Sequence, residues 1–394
     1  MPLLSVVVPT HNRADYAISC IEAVLRFDVA DIELVMTDSS SDRRLFDWLH
    51  GDFAHFLADP RLKYVKIDEP SNLTKNHNDA VALASGEYVC VIGDDDCITA
   101  AAIDAARWAS AAGVPAVSQT VTATYAWPDF RSRLARTGHA ARLYVPRRVG
   151  PAVWRNAAPD LTAALDRAFQ ATDGLPRCYH GIVRRDLLEQ VRERTGAYFH
   201  GSSPDMSGAV AMACLVERYC EVETPLTIPG VSGGSNSGRS AMNTHKGDLS
   251  SETQTSGFEE RGWVKGVPRF FAVETVWAHA GLATLERLKP DLVPGFNFAR
   301  LLALCRVRHP DFAAVVDAAT AEVGQVTSDL AVAREVRLEK WSRIKYLARR
   351  MTNPTAANGR RFFPNLMTVA DASRMYEDYA GRQNIAFVPP ADPF

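Results

Sequence analysis

Predicted strands that each end in a polar cluster most constrain how this chain folds. Residues 5–8 lead into Pro-Thr-His-Asn, residues 31–36 into Thr-Asp-Ser-Ser, and the apolar run of residues 88–92 into Gly-Asp-Asp-Asp. Runs without polar alternation are typical of strands buried on both faces, as in parallel sheets covered by helices. Apolar residues at helical spacing follow the first run, at Ile18, Ile21, Val24 and Leu25. The sequence therefore predicts a doubly wound, mostly parallel α/β sheet whose polar clusters share one edge.

Three consecutive aspartates, Asp94, Asp95 and Asp96, end the third of these runs. Their like charges repel one another, and nothing basic lies beside them in the sequence. A divalent cation would relieve that repulsion, and hard oxygen ligands suit Mn²⁺ or Mg²⁺. A solvated acidic turn is the alternative interpretation of the same residues.

Composition and charge exclude several classes of protein. The chain has 394 residues, enough for two domains, with 47% apolar and 23% charged residues. A formal net charge of −2 gives no indication of a nucleic-acid partner. The seven cysteines form no CxxC pair, which favours reduced thiols in a cytoplasmic protein over disulfides or a zinc site. Residues 1–8 predict a first strand and not a signal peptide, and no run reaches the ~18 apolar residues that cross a bilayer.

Further along the chain the pattern predicts a looser alternation of elements. Residues 128–176 are interpreted as an irregular, partly helical insertion, and the Gly- and Ser-rich residues 230–248 as a mobile loop. The chain after residue 257 is predicted to be mainly helical. The other predicted elements are strands at 62–67, 116–124 and 220–228, and helices at 76–84, 103–112 and 206–216.

Four segments, taken in order, resemble family 2 glycosyltransferases. Residues 5–13 read Ser-Val-Val-Val-Pro-Thr-His-Asn-Arg, and residues 33–42 read Glu-Leu-Val-Met-Thr-Asp-Ser-Ser-Ser-Asp. The segment from Asn78 through residues 84–88 then leads to the aspartate run, which matches the family's acidic metal motif. The resemblance implies an inverting enzyme of GT-A fold that takes a nucleoside-diphosphate sugar and a divalent metal ion.

The resemblance also implies roles for residues at the carboxyl edge of the sheet. Asp38 falls where a carboxylate accepts from the ring N–H of the base, which suits uracil and a UDP-sugar. Asp95 matches the aspartate that holds the ribose, and Asp96 the metal ligand. The alternative interpretation is ordinary turn chemistry for Thr10 and Asn12, and an N-cap for Asp38. The full set implied for the donor nucleotide is Pro9, Thr10, Asn12, Asp38, Lys75, Asp94 and Asp95.

Two departures from the family pattern concern the nucleotide base. The second motif normally carries a further Asp and a Gly, but this chain has Thr37-Asp38-Ser39-Ser40. The usual Ala-Arg-Asn-x-Gly is replaced by residues 76–80, which contain no arginine. Lys75 either supplies the missing positive charge or is a solvated lysine at a helix start.

A carboxylate before the helix at 206–216 is the candidate general base. Asp205 follows Ser203 and Pro204, where the family places an acid that takes the proton from the acceptor hydroxyl. A carboxylate at a helix N-terminus is stabilised in the ionised form that a base requires. A simple cap is the alternative. His180 and Gly181 are predicted to line the acceptor pocket, with a buried structural histidine as the other interpretation.

The Gly- and Ser-rich loop is the third candidate region. Enzymes of GT-A fold commonly close such a segment over the diphosphate, which here would bring in Arg239 and Lys246, with His245 as a metal ligand. A linker between two parts of the chain fits the same composition.

These interpretations combine into one predicted organisation. Residues 1–115 would bind the nucleotide sugar, 116–230 the acceptor, 231–256 would form the mobile loop, and 257–394 a helical C-terminal region. The acceptor would be a glycan, a lipid-linked molecule or a small molecule. The rival functions are a non-catalytic nucleotide-sugar or glycan binder and a sugar nucleotidyltransferase.

A basic amphipathic helix is predicted within the C-terminal region. It is interpreted as a helix packed on the core or a homodimer contact, with peripheral contact to the inner face of the membrane left open. Its apolar residues are Trp341, Ile344, Leu347 and Ala348, and its basic residues are Arg343, Lys345, Arg349 and Arg350.

Overall fold

The computed structural model describes residues 2–69, 71–120, 123–133, 136–252, 254–255, 257–258, 262–352 and 360–394, the side chains of 347 and 349–352 excepted. The strands are β1 (Leu4–Thr10), β2 (Ile32–Asp38), β3 (Leu62–Lys66), β4 (Tyr88–Val91), β5 (Cys97–Ile98), β6 (Ala116–Gln119), β7 (Thr124–Ala126), β8 (Arg142–Val145), β9 (Val153–Asn156), β10 (Gly181–Arg184), β11 (Arg218–Val222), β12 (Thr227–Ile228), β13 (Gly230–Val231), β14 (Lys246–Gly247), β15 (Phe271–Ala272) and β16 (Arg361–Phe363). The helices are α1 (Ala14–Leu25), α2 (Arg44–His50), α3 (Ala54–Leu57), α4 (Leu73–Ala82), α5 (Ala100–Ala112), α6 (Ala157–Asp166), α7 (Arg185–Thr195), α8 (Pro204–Leu215), α9 (Asn236–Ala241), α10 (Val273–Leu288), α11 (Phe298–Arg308), α12 (Ala313–Glu322), α13 (Asp329–Thr352) and α14 (Val369–Gln383).

An eight-stranded sheet forms the centre of the molecule, in the order β3-β2-β1-β4-β10-β6-β11-β9. β1, β2, β3 and β4 are parallel neighbours, and β6 pairs in parallel with β11. β10 is antiparallel to both β4 and β6, and β9 is antiparallel to β11, so the remaining six strands share one direction. The predicted α/β fold with a large, mostly parallel sheet is therefore confirmed.

Side chains of the sheet alternate between two cores. In β1, Val7 faces the core that also contains α8 and α10, while Val6 and Val8 face the core under α1 and α5. All three valines are fully buried. The alternation follows from the two-residue period of a strand, and burial on both sides explains the uninterrupted apolar runs.

The polar clusters do meet at one edge of the sheet. Thr10 at the end of β1 pairs in register with Asp38 at the end of β2. β4 ends at Val91, which pairs in register with Val7 of β1, and the chain then continues into the three aspartates. This edge is where ligands bind in open parallel sheets.

Two regions are more regular than predicted. Residues 128–176 contain β8, β9 and α6, and β9 closes one edge of the central sheet. Residues 230–248 contain β13, α9 and β14, so this segment is structured over much of its length. Short strands completed by distant partners carry little local signal, which explains why the sequence pattern did not reveal them.

Two predicted strands are interrupted. The strand predicted at 116–124 is replaced by β6 and β7, with residues 121–122 outside the described chain. The strand predicted at 220–228 is replaced by β11 and β12. β12 pairs with β5 outside the central sheet.

The C-terminal region is mainly helical, as predicted, but its last part returns to the start of the chain. β16 pairs with β8, and α14 packs against α1. The four-part division of the chain stays a prediction. Of the basic amphipathic helix, the side chains of Leu347, Arg349 and Arg350 lie outside the described residues. Among the helices that the structure describes, none combines the length and apolar character required to cross a bilayer.

Candidate active site

A cavity of about 660 Å³ opens at the carboxyl edge of the sheet. The end of β1, the aspartates after β4, the start of α4 and the start of α8 form its walls. The chain from 229 to 245 covers part of it. Eight of the residues predicted from the sequence line this first cavity together: Pro9, Thr10, Asp94, Asp95, Asp96, His180, Asp205 and His245.

An arginine three residues after the end of β1 forms ion pairs with two of the three aspartates. Arg13 Nε lies 3.1 Å from Asp94 Oδ1, and its Nη2 lies 2.8 Å from Asp95 Oδ2. Nη2 also donates to Ser232 Oγ at 2.6 Å, and Ser232 donates to Asp95 at 2.6 Å. The guanidinium therefore ties the acidic run to the segment that follows β13.

The first aspartate is held in place from the opposite side as well. Thr10 Oγ1 donates to Asp94 Oδ2 at 2.5 Å. Burial raises the pKa of Asp94 to about 6, although Arg13 and the Thr10 hydrogen bond both favour the ionised form.

Among the residues that the structure describes, none places a full positive charge beside the third aspartate. Asp96 accepts backbone hydrogen bonds of 2.6 Å from Gly93 and from Gly230. Its nearest basic group is His180 Nε2, at 3.4 Å, and burial lowers the pKa of that imidazole to about 3, so the ring is neutral. Burial, with Asp95 nearby, raises the pKa of Asp96 well above its usual value.

This environment fits a divalent cation, since a buried carboxylate without a cationic partner needs a compensating charge. His245 adds a second fitting group, because its Nε2 is buried without a hydrogen-bond partner. Burial lowers the pKa of His245 to about 4, so its ring is neutral, as a metal ligand requires. Within the described part of the chain, no three acidic, histidine or cysteine side chains are grouped to hold a metal ion. Further oxygen ligands would therefore come from a bound phosphate group or from water.

A close approach of two backbones fixes the position of Asp96. A Cβ at Gly230 would lie 1.9 Å from the carbonyl oxygen of Asp95, so only glycine brings this N–H onto the Asp96 carboxylate.

Gly230→Ala is expected to destabilise the fold by about 1–3 kcal/mol, because β13 must move away from the acidic run. It should also weaken metal-dependent nucleotide binding. The checks are urea denaturation and calorimetry with UDP and Mn²⁺. Gly234→Ala is the matched control, since a Cβ there meets nothing within 4 Å. Equal stability of the two variants would contradict the expected contact.

Asp205 lies in the first turn of α8 and lines the first cavity. Its Oδ1 accepts from the backbone N–H of Met206 at 2.8 Å and from the Ser203 hydroxyl. Burial raises its pKa above the usual value, and these two hydrogen bonds oppose that shift. The side chain is therefore both a helix-end acceptor and a carboxylate that faces the cavity.

The His180-Gly181 pair joins the cavity to the centre of the sheet. His180 has a positive φ of 57°, and its Nδ1 lies 2.9 Å from Thr227 Oγ1. Gly181 does not line the cavity. A Cβ at this position would lie 2.3 Å from the carbonyl oxygen of Arg177, so the close approach of the two backbones requires glycine. Its small size lets β10 enter the sheet directly behind His180.

Two residues predicted to bind the donor, Asp38 and Lys75, do not line the cavity, and their side chains bond to other residues of the protein. Asp38 is fully buried and accepts from the Tyr64 hydroxyl and the Ser40 N–H. Lys75 pairs with Asp79 one helical turn along α4, at 2.8 Å, on an exposed face.

Asn12 and the two basic residues of the loop are likewise placed outside the first cavity. The side-chain amide oxygen of Asn12, Oδ1, accepts from the backbone N–H of Ser41. Arg239 forms a two-pronged ion pair with Glu252, at 2.8 and 2.6 Å. Lys246 lies 2.6 Å from Asp311 and lines a second, neighbouring cavity.

Several cavity residues escaped the reasoning from sequence. Arg13 stood within the matched motif, and this was the one signal available in the sequence. Its position next to the acidic run appears only in the structure. The others belong to loops and helix starts whose positions depend on tertiary packing. They include His11, Ser39, Asn72, Asn76, His77, Tyr179, Ser203 and Trp277.

Comparison with known proteins shows which family the first part of the chain is similar to. The model of glycosyl transferase family 2 matches residues 5–142. WcaA of Escherichia coli (strain K12), named as a colanic acid biosynthesis glycosyl transferase, is 38% identical over 96 residues, 24% of this chain and 33% of WcaA. The GalNAc(5)-diNAcBac-PP-undecaprenol beta-1,3-glucosyltransferase of Campylobacter jejuni is 32% identical over 100 residues, 24% of this chain and 30% of that protein. The matches thus span about a third of these relatives.

Among solved structures, Staphylococcus aureus TarS 1–349 with UDP-GlcNAc aligns with 82% of this chain and 91% of its own, at 15% identity and a TM-score of 0.44. The family match includes β1, β2, β4 and all three aspartates of the cavity. Residues 5–142 of this chain are therefore similar to glycosyl transferase family 2.

Proposed function

We propose that this protein is an inverting, metal-dependent glycosyltransferase that moves a sugar from a nucleoside-diphosphate sugar to a hydroxyl acceptor. One observation carries the proposal: the acidic run of the family 2 region and Asp205 of α8 line the same cavity. An acid cluster for the leaving group and a separate carboxylate for the acceptor are the two parts that a single displacement requires.

The donor is proposed to bind along the end of β1. Asp95 would accept from the ribose hydroxyls, with Arg13 Nη2 2.8 Å from its carboxylate. Thr10 and Ser39, which line the cavity where β1 and β2 end, would lie against the nucleoside. Uridine is proposed as the base because Asp38 occupies the family's base-recognition position, although in this structure its carboxylate lies behind Ser39 and Ser40.

Asp96, together with His245, is proposed to hold the metal ion. When bound, Mn²⁺ or Mg²⁺ would supply positive charge that offsets the charge developing on the departing diphosphate.

The acceptor is proposed to approach from the side of α8. Asp205 would take the proton from its hydroxyl as that oxygen bonds to the anomeric carbon of the donor, opposite the departing diphosphate. Burial raises the pKa of Asp205, which makes it a better proton acceptor than an exposed aspartate, provided that it is ionised. A glycan, a lipid-linked sugar and a small molecule all offer the required hydroxyl.

We also propose a cytoplasmic location, where nucleotide sugars are available to the enzyme. The structure supports this through its thiols, since all seven cysteines are buried and unpaired with one another.

A thermal-shift screen of nucleotide sugars with and without Mn²⁺ tests the function. We expect one UDP-sugar to raise the melting temperature, because a ligand that binds only the folded form adds about 2.7 kcal/mol of stability at 100 times its Kd. The rise should require Mn²⁺, and slow hydrolysis of that donor should accompany it. Binding without hydrolysis would indicate a non-catalytic binder. Release of pyrophosphate from UTP and a sugar phosphate would indicate a nucleotidyltransferase.

A further inference from the structure

The outward face of helix α13 exposes large apolar side chains. Trp341 is 63% exposed, Ile344 is 56% exposed and Leu338 is 49% exposed. The opposite face packs on α11, where Val332 is fully buried and Glu339 forms ion pairs with Arg300 and Arg308. The exposed apolar groups are therefore not the core-facing side of this helix.

Positive charge surrounds these apolar groups. Between residues 337 and 350 the sequence holds six basic residues and one acidic residue, in a chain whose formal net charge is −2. The one acidic residue, Glu339, is 2% exposed and fully engaged by arginines of α11. Arg337, Lys340 and Lys345 are exposed. The face thus presents basic and apolar groups to solvent with no exposed carboxylate among them.

Helix geometry places the key groups on one side. At 3.6 residues per turn, Arg337, Trp341, Ile344 and Lys345 fall within about a third of the helix circumference. Tryptophan and basic residues on one face are typical of helices that lie in the interface of an anionic bilayer.

We infer that this face of α13 docks on an anionic lipid bilayer. A second copy of the chain is the other apolar partner available, but a symmetric dimer would bring the same basic face against itself. Like charges would then repel at the centre of the contact, whereas anionic lipid headgroups complement them.

The inner side of α13 gives this docking a consequence for substrate class. Ser342, Arg343 and Tyr346 line the second cavity, of about 640 Å³. Ser240 and His245 line both this cavity and the first one. If the proposed glycosyl transfer is correct, the acceptor is an amphiphile held in the bilayer, and its polar head enters past Arg343 towards Asp205.

Sedimentation with vesicles tests the docking without any need for glycosyl transfer. The probes are vesicles of phosphatidylcholine and phosphatidylglycerol at a ratio of about 7:3, and vesicles of phosphatidylcholine alone. We expect the protein to bind the anionic vesicles and to be released by salt. Trp341→Ala/Ile344→Ser should weaken binding about tenfold or more. Arg337→Gln/Lys345→Gln should weaken it more than tenfold, since each charge contributes about fivefold.

Matched controls separate this face from the rest of the surface. Val388→Ser removes an apolar group that is 64% exposed elsewhere, and Arg43→Gln removes a charge whose side chain is 60% exposed just before α2. Both should bind vesicles as the unaltered protein does. Equal binding by the α13 variants, or no binding to anionic vesicles, would overturn the inference. So would a dimer that Trp341→Ala/Ile344→Ser converts to a monomer without any vesicle binding. Failure of sugar transfer with intact vesicle binding would count against the proposed function alone.

Discussion

Asp205→Asn is expected to lower the rate of sugar transfer about 10²–10⁴-fold, the usual contribution of a general base. The amide has the shape of the carboxylate, and its oxygen can still accept from the Met206 N–H. It cannot take a proton from the acceptor. Donor affinity, measured by calorimetry with the UDP-sugar and Mn²⁺, should change less than twofold. Turnover is measured with the donor identified by the thermal-shift screen.

The same substitution separates a base from a simple helix-end acceptor, because asparagine keeps the oxygen that accepts from the Met206 N–H and loses only the ability to take a proton. If Asp205 serves only α8, turnover in Asp205→Asn will be near normal. Asp186→Asn is the matched control, since Asp186 lies in the first turn of α7 with its side chain 52% exposed. The pH profile adds a further check. A base is active when ionised and the pKa of Asp205 is raised, so transfer should fall as pH drops through that raised pKa.

Arg13→Ala is expected to destabilise the protein by about 3–5 kcal/mol, the cost of leaving buried carboxylates without their cation. The side chains of Asp94 and Asp95 are only 5% and 7% exposed, so both carboxylates depend on the guanidinium for a compensating charge. Burial disfavours the charge on Arg13, but the two carboxylates outweigh burial and raise its pKa further. Urea denaturation at pH 8 measures the loss, and nucleotide binding should weaken with it.

Arg44→Ala is the control for Arg13→Ala, because it removes an ion pair with Asp15 whose side chains are 46% and 66% exposed. Such surface pairs contribute about 0–1 kcal/mol. The loss in Arg13→Ala should also shrink at pH 5, since protonation of Asp94 removes one uncompensated charge. A loss equal to that of Arg44→Ala at pH 8 would show that Arg13 does not stabilise the acidic run.

The acidic side of the cavity could be predicted from sequence, because a strand buried on both faces leaves an unbroken apolar run and the three aspartates follow at its carboxyl end. Thr10 and Asp205 were identified with the help of the family resemblance, Thr10 after the first strand and Asp205 from Ser-Pro-Asp before an apolar helix. These residues lie at the ends of elements that the local pattern reveals.

Tertiary contacts explain what the sequence did not reveal. Nothing local shows that Asp38 turns towards Tyr64, or that Arg13 reaches two aspartates more than eighty positions later. Arg239 was expected at the diphosphate, but Glu252 pairs with it thirteen residues further along. Ion pairs between residues distant in the sequence depend on the tertiary structure, and the spacing of apolar residues does not predict them.

The position of β10 in the central sheet determines where this chain could be shortened. β10, at Gly181–Arg184, lies between β4 and β6, although both of those strands precede residue 142. A fragment cut at the end of the family match would lack the strand that joins its two halves. The matched segment and the later part of the chain are therefore interleaved in one sheet, and the bounds of the sequence similarity do not mark a module that can be cut out.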